Sequence, residues 1–107
     1  GSVRQVAGQF SGAAYDNGAA TSFNLDNGNV QYTSASCQAM TLSNMQDGGT
    51  YTIAVKGTTA GTCSFTHAGL TFHYSPAQGS TVNGSHSTYT FLRVGTDVYV
   101  TWIALYQ

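Results

Sequence analysis

The C-terminal stretch constrains the fold most. Residues 88–94 and 97–106 are dense in β-branched and aromatic side chains, and Gly95-Thr96 lies between them. Glycine at the first central position of a two-residue loop suits a type II′ turn, whose twist matches that of paired strands. The pair reads as a β-hairpin. In 97–106 one face carries Val98, Val100, Trp102, Ala104 and Tyr106, and the other Tyr99, Thr101, Ile103 and Leu105. Both faces are largely apolar, whereas a strand of an isolated sandwich normally shows a polar outer face. The second face therefore needs a cover, either the N-terminal stretch or another subunit, because an exposed apolar face of that size invites aggregation. Tyr99, Ile103 and Leu105 are the candidate interface residues.

Shorter strand patterns precede the hairpin. They fall at 21–26, 30–34, 38–42, 50–56, 62–66 and 70–74, separated by turn signals. Residues 50–56 place Tyr51, Ile53 and Val55 on one face, the period of two expected of a half-buried strand. Asn27-Gly28 is the favoured pair for a type I′ turn and predicts a hairpin joining 21–26 to 30–34. No segment repeats apolar residues at helical spacing, and no internal repeat is visible. About eight short strands with turns every 8–12 residues point to an all-β domain, a small antiparallel β-sandwich. Residues 1–20, rich in Gly, Ala and Ser, read as an irregular lead-in or stalk junction, and 21–107 as the folded domain. Gly1-Ser2 resembles a cloning remnant, so the chain reads as an excised fragment whose signal or stalk lies outside it.

A 107-residue chain buries only about two-thirds of its unfolded surface, so a covalent staple or oligomerisation would help it. Only 7% of residues are charged, against an average of about 25%. Solubility rests on Ser, Thr, Asn, Gln and Gly, which suits an extracellular protein that contacts neutral sugars. A net charge of −1 gives no reason to expect nucleic acid or an anionic membrane as partner. No apolar run reaches the ~20 residues of a membrane helix.

Cys37 and Cys63 are the only cysteines. An even count in such a chain suggests a disulfide, closing a loop that the chain-entropy model values at about 3 kcal/mol; two buried thiols are the alternative. Zinc held by Cys37, Cys63, His67 and His73 lacks a tight ligand pair and is set aside. No metal or other cofactor is expected.

Catalysis finds little support. Asp26, Asp47 and Asp97 sit in turn patterns, where Asp bonds its local backbone, and Asp16 lies in the lead-in. No carboxylate pair flanks a plausible cleft, and no nucleophile elbow, P-loop or dinucleotide fingerprint occurs. The chain is read as a non-enzyme. The long stretch 75–87 has no large apolar residue, and loops on a rigid scaffold carry recognition. The candidate ligand-binding residues are therefore His67, His73, Tyr74, Asn83, His86 and Tyr89. Trp102 reads as core.

Several ordered segments carry a resemblance: Asn24-Leu25-Asp26-Asn27-Gly28-Asn29-Val30, Leu42-Ser43-Asn44, the run from Gly49-Thr50-Tyr51 to Val55-Lys56-Gly57, and Tyr89-Thr90-Phe91 with Val98-Tyr99-Val100-Thr101-Trp102. Residues 21–107 resemble the C-terminal tip domains of phage tail fibres and, more so, the cysteine-bearing tips of mosaic adhesive trimers of predatory bacteria. The resemblance implies a homotrimer at the tip of a fibre on a bacterial surface or phage virion, binding glycans or proteins of a target cell. It transfers no binding residue. A structural trimerisation cap without a ligand is the alternative, and a small carbohydrate-active enzyme a third reading.

Overall fold

The computed structural model describes residues 14–75, 80–81 and 85–106. They are all-β, with a single 3₁₀ turn at Leu25–Asn27. The strands are β1 (Tyr15–Asp16), β2 (Ser22–Asn24), β3 (Val30–Thr33), β4 (Ala39–Ser43), β5 (Thr50–Val55), β6 (Gly61–Thr62), β7 (Ser64–Thr66), β8 (Thr71–Ser75), β9 (Ser80–Thr81), β10 (His86–Val94) and β11 (Asp97–Tyr106). No helix among these residues is long and apolar enough to cross a membrane.

The first half of the chain winds between two sheets. β1, β3 and β5 lie side by side in one sheet, and β2, β4 and β7 in the other, every neighbouring pair parallel. Each turn of chain thus adds one strand to each sheet, a solenoid-like stacking. The turns are unequal in length. Tyr15 pairs with Gln31 and Gln31 with Ile53, spacings of 16 and then 22 residues. Phe23 pairs with Leu42 and Met40 with Phe65, spacings of 19 and then 25. A repeat search depends on a fixed period, so these coils leave no repeat in the sequence.

The second half closes the larger sheet. β10 and β11 form the expected antiparallel hairpin, β10 pairs antiparallel with β5, and β8 pairs parallel with β11. The sheet order is β1-β3-β5-β10-β11-β8, and β6 and β9 make a separate two-stranded antiparallel ribbon.

Strand positions match the sequence expectation closely, but strand directions do not. The expected antiparallel arrangement is replaced by mixed sheets, antiparallel only around β10 and in the ribbon. Asn27-Gly28 does not make a hairpin, because β2 and β3 belong to different sheets. Leu25 is buried, and burying it takes the chain around a corner instead of back along the same sheet. Asn24 caps that corner by accepting from the Asp26 N–H at 3.0 Å. Gly28 follows at φ 151° and ψ 158°, a conformation essentially reserved for glycine. Residues 15–20, read from the sequence as lead-in, are part of the first coil: Asn17 N–H donates to Tyr32 O and Ser34 N–H to Gly18 O.

The two main sheets share one core. Phe65 of β7 lies 5.0 Å from the Tyr89 ring and 4.8 Å, edge-on, from Phe91, both on β10. Phe23, Met40 and Leu42 line the same side of the smaller sheet, and Ile53, Val55, Val98 and Val100 oppose them. Trp102 packs against this core, stacked on Tyr89. A disulfide joins Cys37 to Cys63.

Two buried polar residues hold the first coil. Gln31 Nε2 donates to the carbonyls of Asn24 and Gly28. Thr33 Oγ1 lies 2.8 Å from Ala20 O and accepts from the Ala35 N–H. They supply the hydrogen bonds that buried corner backbone requires.

Candidate binding face of the six-stranded sheet

The inward side of the large sheet is core, and its outward side is a patterned surface. Strand register aligns the outward residues in rows. His73, Tyr99, Leu92 and Thr50 form one row across β8, β11, β10 and β5. Ser75, Thr101, Thr90, Thr52 and Val30 form the next, and Ile103, Thr88, Ala54 and Tyr32 the third. Val30, Leu92, Tyr99 and Ile103 are exposed, Ile103 at 58%. The face is therefore a mixture of threonine and apolar side chains, which β-propensity favours on a pleated surface.

At the end of this face near β8, His73 and Asp97 meet. Their side chains approach at 2.9 Å, His73 Nε2 to Asp97 Oδ1, with half of each exposed. A carboxylate only accepts, so Nε2 carries the proton, leaving Nδ1 as an acceptor in the neutral ring. The imidazole also stacks on Tyr99, with ring centroids 5.6 Å apart and planes inclined by 24°. The β8–β11 register places these groups together, pairing His73 with Tyr99 and Thr71 with Asp97.

At the opposite end lies a shallow groove of about 270 Å³, lined mainly by Val30, Tyr32, Ala54, Lys56, His86 and Thr88. Lys56 Nζ sits 4.7 Å from the centre of the Tyr32 ring, a cation–π contact. His86 enters at the start of β10, where the pairing with β11 shifts register. Ile103 is the register partner of Thr88, one of the lining residues.

The candidate ligand residues separate into distinct roles. His73 and His86 are exposed on the large sheet. His67 lies elsewhere, at a corner of the smaller sheet. Its Nε2 accepts from the Met45 N–H at 3.3 Å, so Nδ1 carries the proton toward Ala68 O at 2.9 Å. Asn24 and Asn44 bond side chain to side chain at 2.8 Å in the adjacent coils. Tyr74 faces inward, its hydroxyl accepting from the Phe65 N–H at 3.0 Å. Burial pushes its pKa above the ordinary 10.0, with the Phe65 bond opposing. Tyr89 is fully buried in the core, which raises its pKa as well. Neither tyrosine presents itself to a ligand, because strand alternation aims both at the core. Asn83 lies outside the described residues, as does the side chain of Leu105.

The turn reading of the aspartates also divides. Asp16 Oδ1 accepts locally from the Gly18 N–H. Asp47 acts over a long range, accepting from the Gly95 N–H at 2.8 Å and tying the 47–49 turn to the β10–β11 turn. Arg93 reinforces this junction through Met45 O and Gly95 O. Asp97 pairs with His73. Sequence reasoning left Asp97 and Tyr99 out of the recognition candidates, and only the register of β8 against β11 places them beside His73. Among the described residues no three His, Cys, Asp or Glu side chains gather into a metal-binding group.

Comparison of the chain with protein-family models, curated proteins and solved structures gave no match.

Proposed function

We propose that this chain is the receptor-binding tip of a homotrimeric extracellular fibre, a non-catalytic module for cell-surface glycans or proteins. The observation that carries the reading is the outward face of the large sheet. Exposed Val30 on β3, Leu92 on β10, and Tyr99 and Ile103 on β11 stand among threonines on this one face, with an apolar groove at one end of it. Single exposed apolar residues need no explanation, but four large ones on one outward face beside an apolar groove support reading that face as the interaction surface. A cyclic trimer would cover the Ile103 half of this face, the kind of closed symmetric assembly that buries such a patch without open ends. The disulfide supports an oxidising, extracellular setting, and a surface poor in charge suits neutral ligands.

Light scattering on the purified chain tests the assembly, with an expected mass about three times the 11.2 kDa of one chain. A monomer at micromolar concentration overturns the trimer. A glycan array tests the recognition. A trimer that binds nothing on a broad array, and whose removal abolishes fibre assembly, favours the structural cap.

A further inference from the structure

We infer that His73, Tyr99 and Asp97 form a recognition subsite for a neutral saccharide at the β8–β11 edge of the large sheet. The inference deepens the receptor-binding reading above and rests on it for the biological source of the sugar.

A saccharide offers two surfaces to a protein: a face of C–H groups and a rim of hydroxyls. A complementary site supplies an aromatic ring for the first and a few fixed acceptors and donors for the second. The triad supplies both. Tyr99 is 49% exposed and its ring is braced by the stacked imidazole of His73. Its hydroxyl has no hydrogen-bond partner among the described residues, and the same holds for Asp97 Oδ2 and His73 Nδ1. Adjacent sugar hydroxyls can therefore donate to the carboxylate, and to Nδ1 whenever the imidazole carries a single proton, while Tyr99 Oη both donates and accepts. The His73–Asp97 bond fixes the tautomer and orientation of the ring, so the acceptors are positioned before a ligand arrives, which lowers the ordering cost of binding.

The subsite also has an extension. Leu92 and Thr50 continue the His73–Tyr99 row across two further strands. Three inter-strand spacings give a ledge of roughly 14 Å, room for a short oligosaccharide lying across the strands. The ligand class is neutral because Asp97 is the acidic group here, which disfavours anionic sugars and phosphates.

The test uses the full chain labelled with ¹⁵N and titrated with maltotriose, mannotriose, chitotriose and lactose at millimolar concentration, with sialyllactose as the anionic control. At least one neutral sugar is expected to shift amides at 72–74 and 97–100. Tyr99→Ala is expected to weaken that binding about tenfold, Tyr99→Phe to retain most of it, and Asp97→Asn to weaken it while leaving the remaining amide spectrum in place. Absence of shifts with every neutral sugar, shifts centred elsewhere, a preference for sialyllactose, or binding unchanged by Tyr99→Ala and Asp97→Asn would each overturn the subsite. Light scattering on the same samples separates the two ideas: a monomer that binds sugar sinks the trimeric tip alone, and a trimer that binds none sinks the subsite alone.

Discussion

The Tyr89 hydroxyl lies 3.2 Å from Cys37 Sγ in the centre of the core, linking the C-terminal hairpin to the disulfide of the winding half. An oxidised sulfur has no proton to give, so the tyrosine donates. Removing the donor in Tyr89→Phe is expected to cost about 1 kcal/mol, and replacing both cysteines by alanine about 3 kcal/mol through the 26-residue loop they close. Combining the changes should cost less than their sum, because the two groups share one contact. Urea denaturation of the four proteins measures the coupling.

Alkaline conditions should weaken the fold through the same tyrosine and through Tyr74. Burial raises both pKa values above 10.0, whereas in the unfolded chain they titrate near that value. Above pH 10 the unfolded state therefore binds fewer protons than the native state, and stability falls as pH rises. The contribution is fully present below pH 10 and is lost as pH rises through the native values. Melting temperature measured from pH 8 to 11.5 should stay level to about pH 10 and then decline. Tyr74→Phe should soften the decline.

Ile103 offers a test of the proposed assembly that leaves the fold of the single chain intact. Its side chain points outward from β11 and is exposed within a single chain. Ile103→Asp is expected to leave the circular dichroism spectrum unchanged and to convert the proposed trimer to monomer in light scattering. A variant that remains trimeric would move the contact away from this half of the face.

Gly57 marks a close approach between coils. Its N–H donates to Ala35 O, and a Cβ at this position would collide with the backbone of Ala35 and Ser36. Backbone cannot swing aside as a side-chain end can, so Gly57→Ala is expected to cost about 1–3 kcal/mol. The neighbouring surface change Thr58→Ala should stay within about 0.5 kcal/mol. Thermal unfolding of both variants makes the comparison.

The sequence by itself determined the all-β class, the positions of most strands and the Gly95-Thr96 turn, and it favoured a disulfide over two buried thiols. These rest on local physics: side-chain alternation with a period of two, the twist demanded by a two-residue loop, and the chemistry of a lone cysteine pair. Which strands pair, and in which direction, was decided only in the tertiary structure. Alternation tells which face of a strand is buried but is blind to its neighbour, so 21–26 and 30–34 read as a hairpin. Burial of Leu25 instead sends the chain around a corner into the other sheet, and coils of unequal length hide the winding from any periodic search. The candidate site divides along the same line. His73 was legible as a polar ring in a strand, whereas Tyr74 and Tyr89 were displaced from the site because alternation aims them into the core. Asp97 and Tyr99 joined His73 through the parallel register of β8 on β11, a relationship between segments 24 residues apart that no local pattern encodes.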